Sequence, residues 1–169
     1  METQMIKNCD FREDGQGTVS VAAAPPDMLG IAMQWRIRGA EAQDAFCCLE
    51  LTIQPDCGVP RHHHDYVESF YVLEGKIRLE IQDGTTSRVV DCLPGDAVSV
   101  PAGAQHSFFN PIAAAARLLS ISIPKHEMFF DAIVDADHAA PFSELPQSEI
   151  MRRLALIGNK TSTFFAEPK

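Results

Sequence analysis

Between residues 45 and 123 the chain breaks into short strand-like runs separated by turn-forming residues, and this alternation restricts the fold more than any other feature. Ala45–Gln54, Glu68–Leu73, Lys76–Gln82, Arg88–Cys92, Ala97–Val100, Gln105–Asn110 and Arg117–Ile123 are rich in β-branched and aromatic residues. Pro55-Asp56-Cys57-Gly58, Glu74-Gly75, Asp83-Gly84, Leu93-Pro94-Gly95-Asp96 and Pro101-Ala102-Gly103 punctuate them. Lys76–Gln82 alternates apolar and polar residues, and Asp83-Gly84 then turns the chain back into Arg88–Cys92. Gly17–Ala22 and Ile31–Ile37 are expected to add two strands. Strands this short, about 8–12 residues apart, close into an all-β sandwich or barrel.

After Pro124 the periodicity becomes helical. Lys125–Ile133 carries Met128, Phe129, Phe130 and Ile133, following a proline suited to a first helical turn. Pro146–Ile157 carries Ile150, Met151, Leu154 and Ile157 on one face, and Gly158-Asn159 is the expected stop. The 169 residues suit one domain. Residues 1–30 read as an N-terminal extension with a first strand, 31–124 as the barrel, and 125–169 as a helical extension packed on it.

The chain holds 23 acidic and 14 basic residues, a net charge of −9. Such a surface repels phosphate backbones and anionic headgroups, which argues against nucleic-acid or membrane partners. Met1–Gly15 has no apolar signal-peptide core, so a cytoplasmic location is expected. The five cysteines, Cys9, Cys47, Cys48, Cys57 and Cys92, form no CxxC pair and read as free thiols. Cys57 falls near the histidines described next.

Two clusters carry the chemistry. The first is Gly58-x3-His62-His63-His64-x3-Glu68-x6-Gly75. On a strand, His62 and His64 leave the same face and can converge on one ion, with His63 pointing away. Glu68 can reach the same point from the next extended stretch. The second cluster is Gly95-x5-Pro101-x-Gly103-x2-His106-x3-Asn110, which brings His106 within reach as a fourth donor. Nitrogen and oxygen donors of this kind suit one divalent first-row metal: Fe, Mn, Ni or Zn. His63 and Tyr66 are expected at the rim or in solvent, Trp35 in packing and Asn110 in a structural role.

These clusters resemble the two motifs of the cupin superfamily, G-x5-H-x-H-x3-4-E-x6-G and G-x5-P-x-G-x2-H-x3-N. The second is matched at every fixed position; in the first, Gly58 lies two residues closer to the histidines than the pattern asks. The run Glu-Ser-Phe-Tyr-Val-Leu-Glu-Gly at 68–75 and the layout from Trp35 to Gly158 are similar to small single-domain cupins of the quercetin dioxygenase-like group. The resemblance implies a jelly-roll barrel with short C-terminal helices, a homodimer, and a metal held by His62, His64, Glu68 and His106. It implies a non-haem metal-dependent dioxygenase acting on a small enolic, phenolic or diketone-type compound. Glu68 would double as the group that accepts a substrate proton. The alternatives are a non-oxidative isomerase, decarboxylase or lyase using the same ion, and a small-molecule-binding barrel without turnover. Phe70 and Phe108, beside Glu68 and His106, are the expected pocket residues.

Overall fold

A computed structural model describes residues 29–166. Among the described residues nine strands follow one another up to residue 122: β1 (Ile31–Ile37), β2 (Cys47–Ile53), β3 (Gly58–His64), β4 (Glu68–Glu74), β5 (Ile77–Asp83), β6 (Thr86–Cys92), β7 (Ala97–Val100), β8 (Gln105–Phe109) and β9 (Ala116–Ser122). Two α-helices, α1 (Lys125–Ala139) and α2 (Gln147–Thr161), and a short strand, β10 (Thr163–Phe165), follow among the described residues. The expected strand at Gly17–Ala22 lies outside the described residues.

The strands form two antiparallel five-stranded sheets, ordered β1-β2-β9-β4-β7 and β10-β3-β8-β5-β6. Facing sheets of this kind, joined by crossovers between them, make the expected jelly roll. Period-two patterning fills the space between them. Leu49, Leu51 and Ile53 of β2, Ala116 and Leu118 of β9, Phe70 and Val72 of β4, and Ile77, Leu79 and Ile81 of β5 are all buried. Each large aliphatic or aromatic side chain in that set contributes about 1.5–3 kcal/mol by leaving water.

Two inward rows turn polar at one end. Glu68 continues the Phe70–Val72 row of β4, and Ser120 continues the Ala116–Leu118 row of β9. Those exceptions mark where the core gives way to the site. On the outer face of β2, Glu50 is also buried, held at 2.7 Å by Arg36 of β1 and at 2.7 Å by Arg117 of β9.

The C-terminal segment differs from its sequence reading in three ways. α1 runs six residues past Ile133, to Ala139. α2 continues through Gly158 to Thr161 and stops only at Ser162, which adopts the left-handed conformation at φ 61°. Gly158 is there for close approach rather than termination: a Cβ at that position would lie 2.0 Å from the Thr163 carbonyl oxygen. The chain then returns as β10 and pairs with β3, setting Thr163 opposite His64 and Phe165 opposite His62. A three-residue strand has too little periodicity to be read from sequence.

Arg38 fastens α1 to the end of β1. Its guanidinium meets Asp131 at 2.8 and 2.7 Å and Glu127 at 3.4 Å, and lies over the Trp35 ring at 4.6 Å. Glu127 also accepts the Gly39 N–H. None of the described helices is long and apolar enough to cross a membrane.

Candidate metal centre

His62 and His64 project inward from β3, His106 projects inward from the paired strand β8, and Glu68 faces them from the opposite sheet. His62 and His106 are direct cross-strand partners, with ring centroids 4.2 Å apart. The Pro101–Gly103 corner fixes the entry into β8. Gly103 takes φ +82°, a conformation that suits glycine, and its N–H donates to the His64 carbonyl at 2.7 Å. Asn110, fully buried, donates to the Ile53 and Ala114 carbonyls at 3.0 and 2.7 Å and accepts from the Ile112 N–H at 3.1 Å. It stitches the far end of β8 to the end of β2, the structural role expected of it.

One ligand atom from each of His62, His64, Glu68 and His106 lies within 4.8 Å of the other three, and all four residues are buried. The outward ring nitrogens show how these imidazoles are set. Nδ1 of His62 is 2.9 Å from the Pro60 carbonyl, and Nδ1 of His106 is 3.1 Å from the Ala104 carbonyl. A carbonyl oxygen only accepts, so each Nδ1 carries the proton and each Nε2 presents a lone pair inward. Nδ1 of His64 has its own partner, Thr163 Oγ1, at 3.2 Å.

The inward atoms then form a crowd of acceptors. Glu68 Oε2 sits 3.2 Å from His64 Nε2 and 3.2 Å from His106 Nε2. His64 Nε2 is buried without a hydrogen-bond partner among the described residues. Lone pairs this close repel one another unless a cation lies between them. The donor set, mostly imidazole with one carboxylate, suits a divalent first-row metal. These residues fit such an ion.

The electrostatics point the same way. Burial alone would push the Glu68 carboxyl up, but the facing His126, His106 and His64 outweigh it and hold the group well below the usual carboxylate range. Burial, reinforced by His106 and His64, drives His62 well below the ordinary imidazole value. Both residues therefore take the deprotonated forms that bind metals.

The cluster opens into an apolar cavity of about 70 Å³, walled by side chains including Met33, Leu51, Phe108, Phe130, Ile133 and Phe165. Phe108 lines it. Phe70 does not: it packs behind the site, with ring centroids 5.3 Å from Phe108 and 6.1 Å from His106. His63 points away and stacks on Phe164 at 5.0 Å. Trp35 packs edge-on against Phe130 at 5.9 Å.

Tyr66 corrects its rim assignment. It is buried, its ring stacks on His64 at 4.7 Å, and its hydroxyl lies 3.0 Å from His126 Nδ1. His126, from the first turn of α1, was not singled out by the sequence. It is buried, lines the cavity, and brings Nε2 to 3.4 Å from Glu68 Oε1. Burial pushes its imidazole down to about 4 and pushes the Tyr66 phenol up. Ser120 donates to the same Glu68 oxygen at 2.5 Å. His126 and Thr163 lie far along the chain from either motif, and only the return of the C-terminal segment brings them in.

Residues 49–122 match the cupin domain family. Similar solved structures include the polyketide cyclase RemF from Streptomyces resistomycificus, 26% identical, with 59% of this chain and 69% of that chain covered at a TM-score of 0.49. KdgF from Halomonas sp. is 15% identical over 61% of this chain and 88% of that one, TM-score 0.49. Peruvianin-I, described as a cysteine peptidase from Thevetia peruviana latex, is 17% identical over 60% and 67%, TM-score 0.50. At that identity the likeness to Peruvianin-I is one of fold alone. No curated protein matches the sequence. Both motifs fold onto facing sheets and the family match spans them, so residues 49–122 form a cupin domain.

Proposed function

We propose that the protein is a metal-dependent cupin enzyme, with His62, His64, Glu68 and His106 holding one divalent transition metal, and that it oxygenates a compact enolic or diketone-type compound. The observation that carries this reading is the convergence: Glu68 Oε2 stands 3.2 Å from two imidazole nitrogens, and the His106 ring turns its Nδ1 proton outward to the Ala104 carbonyl. When bound, the ion supplies Lewis acidity and, if it is Fe or Mn, a route for O₂ chemistry.

The chain's own residues do the rest. His62 and His106 are locked by backbone carbonyls into the tautomer that faces inward. Glu68 has two different oxygens: Oε2 faces the imidazoles, and Oε1 is held by Ser120 and approached by His126. That asymmetry leaves Glu68 able to take a substrate proton at Oε1 while Oε2 stays with the imidazoles. The apolar walls exclude bulk water and strengthen each of these interactions. Size narrows the substrate. A cavity of about 70 Å³ favours a compact compound over a multi-ring flavonol.

The test is metal analysis of protein purified without chelators, beside His62→Ala and His106→Ala, followed by O₂ uptake with 2,4-pentanedione. About one Fe or Mn per chain, lost in both variants and accompanied by O₂ consumption, supports the proposal. One Zn or Ni with substrate turnover that survives without O₂ moves the chemistry to a lyase or isomerase. No metal after loading overturns the reading.

A further inference from the structure

We propose that His126 is a substrate-binding residue, its Nε2–H donating to one oxygen of a compact two-oxygen compound, an enolate, hydroxamate or carboxylate, held in the cavity. This rests on the metal reading above and adds to it a site outside residues 49–122.

Hydroxyls meet the Nδ1 atoms of both His64 and His126. If His64 offers Nε2 to the ion, its Nδ1 carries the proton and donates to Thr163 Oγ1, 3.2 Å away. The carboxylate oxygen Glu68 Oε1, 3.4 Å from His126 Nε2, favours the His126 ring proton on that nitrogen. The Tyr66 hydroxyl then donates to His126 Nδ1 at 3.0 Å. A neutral imidazole that accepts at Nδ1 carries its hydrogen at Nε2. Tyr66 of the β3–β4 turn and Glu68 of β4 thus set one N–H of α1 on the cavity wall.

That N–H has no partner among the described residues. His126 is 4% exposed and its Nε2 makes no hydrogen bond. The nearest acceptor, Glu68 Oε1, is 3.4 Å away and already receives the Ser120 hydroxyl at 2.5 Å. Buried donors are rarely left unpaired, because stripping them of water is costly. The ring is also held in place: Phe130 meets it edge-on at 5.0 Å and His64 at 5.1 Å. An unpaired, oriented donor lining the same cavity as His62, His64 and Glu68 is arranged to receive a ligand oxygen. A compound with two oxygens can bind the ion and still offer a lone pair of one of them to His126, and the small cavity favours such a molecule over a bulky one.

The test uses Co²⁺-loaded protein and acetohydroxamate, a five-heavy-atom bidentate probe, with His126→Leu, His126→Gln and Tyr66→Phe beside the wild type. Co²⁺ stoichiometry and affinity are measured first. The expected result is one Co²⁺ per chain in every protein, with affinities within about threefold. Acetohydroxamate affinity should fall roughly tenfold or more in His126→Leu and recover in large part in His126→Gln, whose amide N–H can donate. Tyr66→Phe should fall between them. In the Zn²⁺-loaded wild type, imidazole ¹⁵N shifts should show His126 as the Nε2–H tautomer, a readout that needs no variant to fold. Wild-type probe affinity in His126→Leu, or an Nδ1–H tautomer, overturns the inference and leaves the metal reading intact. Loss of Co²⁺ in His126→Leu overturns it by making His126 part of the metal site. Absence of Co²⁺ from the wild type overturns the metal reading itself, and this inference with it.

Discussion

Thr163 and His64 are cross-strand partners in the β10–β3 pair, and the Thr163 hydroxyl lies 3.2 Å from His64 Nδ1. A residue at the end of the C-terminal segment therefore sets the ring of a histidine in the first motif. Metal-binding imidazoles depend on such outer partners, and losing one typically costs about 10–100-fold in metal affinity. Thr163→Val keeps the shape and removes the acceptor. It should lower metal affinity about tenfold in a chelator-competition titration, while the metal-free protein loses only about 1 kcal/mol in denaturant unfolding. Unchanged metal affinity would detach β10 from the site.

Gly158 controls the same contact from behind. Its missing Cβ lets α2 lie against the Thr163 carbonyl, where an alanine methyl would meet the oxygen at 2.0 Å. Gly158→Ala improves helix propensity by about 1 kcal/mol, but overpacking costs typically 1–3 kcal/mol and backbone cannot swing aside as a side chain can. Displacement should win. Thermal unfolding is expected to drop by about 2–8 °C, and metal affinity should fall with it because Thr163 moves. A variant more stable than wild type would show that α2 and β10 part without loss.

The barrel was legible because its information is local. Strand runs, turn residues and the spacing of His62, His64, Glu68 and His106 are all written within short windows, and parity on β3 predicts which histidines face inward. The outward burial of Glu50 was not legible, since its partners Arg36 and Arg117 come from two other strands. Tyr66 looked like a rim residue because it sits in a turn, yet the C-terminal segment covers that turn and buries it. His126 stands alone in the sequence with no histidine or carboxylate at a metal-binding spacing. Its role depends on where α1 docks, and the Arg38–Asp131 and Trp35–Phe130 contacts decide that across about 93 residues of chain.

Glu50 gives a pH signature apart from the metal site. Burial would raise its carboxyl, but the Arg36 and Arg117 guanidiniums overcome this and leave it below the ordinary value. The unfolded chain, whose glutamates titrate near about 4.3, then binds that proton more tightly than the folded protein. The stabilisation is present above that value and is lost as the pH falls through the lower, folded one. Both arginines are well exposed, so the contribution is about 1 kcal/mol. Unfolding of Glu50→Gln should be easier by about that amount at pH 7, and the gap to wild type should close below about pH 4. A gap that persists at low pH would assign the effect to packing.

The cysteines divide by environment. Burial pushes the Cys47 thiol up to about 12, and Cys48 and Cys92 are raised by burial as well. The thiolate is the reactive form, so at neutral pH these three are protonated and shielded. Cys57 lies half-exposed at the β2–β3 turn, on the wall of an open surface groove shared with Arg61, Glu80 and Gln147. With Cys9 replaced by serine, the native protein should react with a disulfide reagent such as DTNB at one thiol, and Cys57→Ser should abolish that phase. The remaining three should titrate only on unfolding, at a rate that follows the opening of the barrel rather than reagent concentration. Rapid modification of Cys47 would mean that the sheet end beside α1 opens in the native state, and that His126, carried by the same helix, is not held fixed over the cavity.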